Sequence, residues 1–259
     1  MKIALIGCGN MGSSLAKHMS LRASLTLHDR NEEKGKKLAQ ELGAFWANSS
    51  QEAVRDADWV ILAVKPKDLS VFKEQISLKK EQVLFSLLAG TPLSLLRKVF
   101  EAPTLIRMMP NLAVTIGKGI IGFSEEKKLD THLKDAIQDI FFSFGLLLWI
   151  PEAKMDAFAS LAASSPAFCL VAMEAMIEAG VSFGFSFQEA KEIVAQVFAG
   201  SAGLVQESSL HPAELKMQIA SPGGTTIAGL LAFDACLGRK AFADALEASY
   251  LKGESLSRG

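Results

Sequence analysis

The sequence predicts an α/β domain, a parallel sheet with helices on both faces, over residues 1–151, followed by an all-helical domain over 152–259. Three observations carry this. Short apolar runs alternate with amphipathic stretches through the first half, the pattern of βα units. A glycine-rich turn, Gly7-Cys8-Gly9-Asn10-Met11-Gly12, stands directly between the first of those runs and the first amphipathic stretch. Past Pro151 the alternation stops and helical periodicity takes over.

Taken in order, Lys2–Ile6 (KIALI) is a short apolar run and reads as a buried strand. Residues 11–20 repeat apolar side chains at helical spacing, and Ser24–His28 (SLTLH) reads as a second strand. Glu32–Leu42 is a charged helix stopped by Gly43. Residues 58–64 (DWVILAV) form a strand that Lys65-Pro66 ends, because proline has no N–H to continue the ladder. Residues 82–87, 104–108 and 119–123 are further strands. Residues 130–144 read as helix and 145–150 as one last apolar strand. Helices then cover 155–179, Phe187–Glu207, 211–219, 226–237 and 240–251. Ser186 is the expected N-cap of the Phe187–Glu207 helix, with Glu189 at the capping-box position. The polar residues 252–259 are expected to fray.

Composition narrows the function. With 27 basic against 28 acidic residues, the chain lacks the basic excess of a nucleic-acid binder. From Pro151 onward 7 residues are basic and 12 acidic, leaving 20 and 16 before it, so the first half is mildly positive and suits a phosphate-bearing ligand. Three cysteines, Cys8, Cys169 and Cys236, with no CxxC pair or Cys/His cluster, argue against a disulfide framework and a metal site and fit a cytoplasmic protein. Residues 1–6 already have a strand pattern, so no secretion signal is expected. Residues 157–173 carry no charge, yet they contain Pro166 and are closed by Asp156 and Glu174. That reads as a helix buried at a subunit interface and not as a membrane span.

The glycine-rich turn carries the first chemistry. Gly7 permits the tight turn, Gly9 lets backbone approach a pyrophosphate, and Gly12 lets helix and strand pack closely. The amides that open the helix, from Asn10 and Met11 on, then face the phosphates. A strand before and a helix after make this a Rossmann-type dinucleotide site. The adenosine end is ambiguous. Asp29 lies where an acid would bind the ribose hydroxyls of NAD, but Arg30 and Asn31 follow, and a guanidinium there pairs with the 2′-phosphate of NADP. NADP is the expected cofactor, with NAD also accepted. Ala63-Val64-Lys65-Pro66 ends a strand at the sheet's carboxyl edge, on the cofactor's path. Asn111, at the end of Arg107-Met108-Met109-Pro110-Asn111, offers an amide to the nicotinamide or the substrate, or forms a turn.

The most distinctive stretch comes late. His211-Pro212-Ala213-Glu214-Leu215-Lys216 leads to Ser221-Pro222-Gly223-Gly224-Thr225-Thr226, a turn followed by a new helix. Consecutive N–H groups there form a nest suited to a carboxylate, and the hydroxyls of Ser221, Thr225 and Thr226 add donors. An ordinary capped loop is the plain alternative.

With the opening GCGNMG, AVKP at 63–66 and RMMPN at 107–111, this order resembles the pyrroline-5-carboxylate reductase family over nearly the full chain. The resemblance implies an NAD(P)H-dependent reduction of 1-pyrroline-5-carboxylate to L-proline, the last step of proline biosynthesis. It implies a Rossmann-type domain, a helical domain that dimerises, and, in some members, a decamer. It also puts Ser221, Gly223, Gly224 and Thr225 on the substrate carboxylate, and the Thr226 hydroxyl beside the imine nitrogen in an orienting role. Two positions depart from the family. Ala163-Ser164-Ser165-Pro166 stands where a Gly-Ser-Gly-Pro turn is usual, and Met217 follows Leu215-Lys216 where an acidic residue is common. The first departure keeps open the reduction of another cyclic imine or related small acid. A cofactor-binding paralogue without turnover is the third reading; its expected mark is loss of the glycine loop or of SPGGTT, and both are intact.

Overall fold

The computed structural model describes residues 1–101 and 103–258. Contacts divide the chain into two compact units, Met1–Ser164 with Ser249–Gly259, and Ser165–Ala248. The change of sequence pattern at Pro151 is therefore not where packing divides: residues 152–164 and the end of the chain belong to the sheet unit.

That unit is built on strands β1 (Lys2–Ile6), β2 (Ser24–His28), β3 (Phe45–Trp46), β4 (Trp59–Leu62), β5 (Val83–Ser86), β6 (Thr104–Pro110), β7 (Gly119–Glu125) and β8 (Gly145–Trp149). Among the described residues they form one sheet in the order β3-β2-β1-β4-β5-β6-β7-β8. The order reverses between β1 and β4, which places a ligand crevice at the carboxyl ends there. Helices α1 (Asn10–Met19), α2 (Glu32–Leu42), α3 (Ser50–Val54), α4 (Leu69–Gln75), α5 (Leu93–Val99) and α6 (Thr131–Phe141) connect the strands. Two apolar clusters lie on the sheet. One gathers Leu5, Leu27, Phe85, Phe123 and Phe141; the other gathers Ile6, Val60, Leu62, Leu84 and Leu96.

The expected all-parallel sheet is corrected at one strand. β7 runs antiparallel to β6, with Met108 opposite Phe123. A parallel neighbour needs a crossover of a dozen or more residues, and only a short 3-10 turn, Leu112–Ile116, joins these two. β8 is parallel again because α6 provides the crossover. Helix 130–144 is also shorter than expected, since a 3-10 turn, Phe142–Phe144, follows Phe141.

The helix expected over 155–179 is three segments: α7 (Met155–Phe158), a π-helical stretch Ala159–Ser164, and α8 (Ser165–Ser182). Pro166 explains the break. It has no N–H for the carbonyl four residues back, that of Ala162. The side chain of Asn111 donates there instead, Nδ2 to O at 3.1 Å.

The second unit holds α8, then α9 (Phe187–Glu207), α10 (Pro212–Ile219) and α11 (Thr225–Ala235). Ser186 and Glu189 form the expected capping box on α9. α12 (Gly238–Arg258) opens in the second unit and ends in the first. Residues 252–258, expected to fray, are its last turns, fixed by Ser257 Oγ donating to Asp156 Oδ2 at 2.8 Å; Gly259 lies outside the described residues.

Candidate active site

At the reversal between β1 and β4 a cleft of about 690 Å³ opens in the sheet unit. It brings together Gly7, Gly9, Asn10, Met11, Arg30, Asn31, Ala63, Val64 and Lys65 among the residues expected to hold a cofactor. The three glycines divide the work. Gly7 has φ +102, and a Cβ on it would come 2.5 Å from the Ala63 carbonyl oxygen. A Cβ on Gly12 would collide with the Gly7 carbonyl oxygen, so Gly12 sets the approach of α1 to β1. Gly9 has no atom within 4 Å of such a Cβ and simply opens on the cleft. It is the N-cap of α1, with no side-chain cap and no acid in the first turn. The first N–H groups of α1 are left for an anion.

Asp29 and Arg30, which compete when read as sequence, have separate duties. The Asp29 carboxylate accepts from Cys8 N at 2.6 Å and from Asn31 N at 2.8 Å, tying the glycine loop to the end of β2. Among the described residues Arg30 meets Asp68, at 3.8 Å, and its side chain is 77% exposed at the cleft. Asn31 caps α2 by accepting from Lys34 N. Lys34 itself lines the cleft, as do Ser50 and Gln75. The sequence reading missed these three; the signal for Lys34 was its position in the first turn of the helix after Arg30. Cys8 is buried, and burial, with Asp29 beside it, pushes its thiol up to about 12, so it stays protonated and inert at neutral pH.

Three expected residues stand apart from the cleft lining. Gly12 is buried under it. Pro66 opens a 3-10 turn, Pro66–Asp68. Asn111 has its amide engaged within the protein at both ends. Its Oδ1 accepts from Ile120 N at 3.2 Å, and its Nδ2 holds the Ala162 carbonyl. One Nδ2 hydrogen and one Oδ1 lone pair remain beyond these two bonds.

The late turn lies in the second unit. Gly223 has φ +67, and Gly224 N donates to Ser221 O at 3.0 Å, closing the turn before α11. Gly224 is the N-cap of α11, again with no side-chain cap and no acid in the first turn. Gly223 and Thr225 are exposed and Thr226 is half-buried. Among the described residues the hydroxyls of Ser221, Thr225 and Thr226 have no hydrogen-bond partner. The turn is thus a set of unused donors at a helix N-terminus, suited to a carboxylate. His211 is a cap: its Nδ1 accepts from Ala213 N at 3.1 Å, with Glu214 completing the box.

Known proteins agree with both halves. Residues 152–256 match the family model for pyrroline-5-carboxylate reductase dimerisation, and residues 2–90 match that for NADP oxidoreductase, coenzyme F420-dependent. A pyrroline-5-carboxylate reductase of Methanosarcina acetivorans is 33% identical over 95% of this chain and 94% of its own. The chain belongs to the pyrroline-5-carboxylate reductase family.

Solved members of the family superpose along nearly the whole length. The Streptococcus pyogenes 1-pyrroline-5-carboxylate reductase aligns with a TM-score of 0.91 at 32% identity, covering 98% of both chains. A Plasmodium falciparum pyrroline carboxylate reductase with NADP bound aligns at 0.90 and 26% identity, covering 99% of this chain and 98% of that one. The departure at 163–166 from the family's usual glycines has a local account. Those residues continue the π-helical stretch into α8 without forming a turn, and Asn111 repairs the one carbonyl that Pro166 strands.

Proposed function

We propose that this chain reduces 1-pyrroline-5-carboxylate to L-proline with NADPH, the last step of proline biosynthesis. The observation that carries the reading is the uncapped, acid-free start of α1 behind an open Gly9, continuous with a cleft that ends at Arg30 and Lys34. These residues fit a dinucleotide. The amides after Gly9 hold the pyrophosphate, and Arg30, Asn31 and Lys34 take the 2′-phosphate. The cations beside Asp29 at the cleft, Arg30 and Lys34, favour NADP over NAD. Ala63, Val64 and Lys65 flank the nicotinamide half.

When bound, the cofactor supplies a hydride to ring carbon 5 of the substrate. The chain's own task is placement. The backbone of 223–225 and the Ser221 hydroxyl hold the substrate carboxylate. The Thr226 hydroxyl hydrogen-bonds the ring nitrogen and orients it. Threonine is too weak an acid to be the proton source, so the nitrogen carries its proton on arrival or takes it from water.

We further propose that the protein acts as a homodimer in the cytoplasm. The stretch Glu152–Ser182 is long and apolar enough to cross a membrane by length and composition, and its most apolar 18-residue window is almost wholly uncovered in the single chain. The match of 152–256 to a dimerisation model supports a second copy as its cover. Free thiols at Cys8, Cys169 and Cys236 are consistent with a reducing compartment.

The test is direct. The purified chain is mixed with NADPH and pyrroline-5-carboxylate, and loss of NADPH absorbance is followed with proline measured at the end. Stoichiometric proline supports the reading. Oxidation of NADPH with another cyclic imine but not with this one transfers the site to that substrate.

A further inference from the structure

The turn between β5 and α5, residues 87–92, leaves the sheet beside Ala63. Leu87 N donates to the Leu62 carbonyl at 3.0 Å, and Leu62 pairs with Ser86 across β4 and β5. Ligands of such a sheet lie along its carboxyl edge, so this turn is the next element along that edge from the cofactor cleft. Its own bonds are weak. Thr91 Oγ1 donates to Ala89 O at 3.4 Å, Leu88 N donates to Ser86 Oγ at 3.4 Å, and Gly90 sits at φ +63.

The far end of the chain holds it instead. A Cβ on Gly90 would come 2.9 Å from the Cβ of Leu256 and 3.3 Å from its carbonyl carbon, so the last turn of α12 lies directly on the turn. One residue on, Ser257 Oγ donates to Asp156 Oδ2 at 2.8 Å. Asp156 Oδ1 takes Arg107 at 3.4 Å, and Glu152 Oε1 takes it at 2.9 Å. Glu152 Oε1 also accepts from Leu93 N, the first residue of α5, at 2.9 Å. Arg107 is only 3% exposed. A buried ion pair is poor evidence for stability, because desolvation offsets most of its attraction. What such a network supplies is a fixed geometry, here joining β6, the start of α5 and the last turn of α12.

We propose that the last turn of α12, through Leu256 and Ser257, is a positioning element: it clasps the β5–α5 turn and so fixes the nicotinamide half of the cofactor site. This rests on the proposed function for its kinetic readout. Neither Leu256 nor Ser257 lies in the cleft lining, and the pyrophosphate and adenosine anchors are elsewhere. The clasp therefore acts on kcat and leaves cofactor affinity alone.

The experiment compares wild type, Ser257→Ala, Ser257→Thr and a chain ending at Lys252. Ser257→Ala should lower kcat about three- to tenfold, the worth of one hydrogen bond, with NADPH Kd changed less than about twofold. Ser257→Thr, which keeps the hydroxyl, should restore kcat, and the shortened chain should show the larger loss with the same split. Hydrogen exchange in the two defective variants should quicken at Leu88 and Thr91 and stay unchanged at the glycine loop. Unchanged kcat and exchange would overturn the proposal. So would kcat and affinity falling together with the melting temperature, the mark of mere packing. If the wild type itself fails to oxidise NADPH with pyrroline-5-carboxylate, the functional reading fails, and the exchange measurement still decides the clasp.

Discussion

In the sheet unit β4 and β5 bury every side chain and β1 buries all but Lys2; in the helical unit α8, α10 and α11 bury none, and α9 buries only Ala190 and Val194. Both regions are rich in apolar residues. Leu170, Val171, Met176 and Phe183 are exposed in the single chain, whereas Leu5, Ile61 and Phe85 are fully covered. An apolar pattern says which side chains avoid water; it does not say which chain covers them. The sheet unit covers its own, and the helical unit leaves a surface far larger than a stable monomer keeps.

The sharpest way to break this contrast is to attack the helical surface. Light scattering at micromolar concentration should show no 27.8 kDa species for the wild type. Leu170→Asp with Val171→Asp puts two charges on that surface, should give monomer, and should abolish turnover while the sheet unit still binds NADPH. A monomeric wild type, or loss of NADPH binding in the variant, breaks the comparison.

The next effect falls on the sheet unit. A Cβ on Gly9 meets no protein atom, so Gly9→Asp should fold normally, but its carboxylate would stand beside the pyrophosphate. At about 4 Å and an effective dielectric of about 20 that repulsion is roughly 4 kcal/mol, about a thousandfold in Kd. Trp46, Trp59 and Trp149 all lie in this unit, so NADPH should quench wild-type fluorescence and leave the variant's unchanged.

Thr226→Val separates the helical unit's chemistry from its packing. It keeps the branched shape and deletes the donor. The loss of a hydrogen bond to a charged nitrogen is worth about 1.5–3 kcal/mol, or about 10- to 150-fold in kcat/KM, with NADPH affinity unchanged. Thr225→Val should lose less, because backbone N–H groups share its contact. Near-wild-type efficiency in Thr226→Val would reduce Thr226 to a helix residue.

The smallest effect is electrostatic and confined to the sheet unit. Hydrogen bonding from Arg97 holds the Glu126 carboxyl below its usual value of 4.5. A depressed carboxylate stabilises the fold above its unfolded value, and that contribution is lost as pH falls through the lower folded one. Glu126→Gln should therefore cost at most about 1 kcal/mol at neutral pH, since the pair is partly solvated. Urea unfolding at pH 7 and in mild acid should show the gap closing on acidification. A gap that widens refutes the pairing.

What the sequence revealed follows the range of the interactions involved. The glycine loop, the capping box on α9 and the turn before α11 are local devices, written in consecutive residues. The orientation of β7 depends on a connection too short for a crossover, which alternation alone does not register. The break before α8 needs Pro166 and Asn111, far apart in sequence. The same holds at the cofactor end: Asp29 looks like a ribose ligand alone until β1 and β2 are placed side by side, with Ile6 against His28, and Cys8 N comes within reach. β3, at two residues, and α3, at five, are too short for any period to show. The final turns of α12 are polar and look loose; they are ordered by Asp156, 101 residues earlier.

That last contact has a consequence for synthesis. Each strand from β5 to β8 lands beside the one made just before it, and β2 and β3 extend from β1 in the same way. A ribosome can thus release the sheet strand by strand, with no strand waiting for a distant partner and little loop-closure entropy at each step. Leu256 and Ser257 are translated after everything they touch. A nascent chain in which residues 253–258 have not yet emerged would carry a finished sheet whose β5–α5 turn has no clasp.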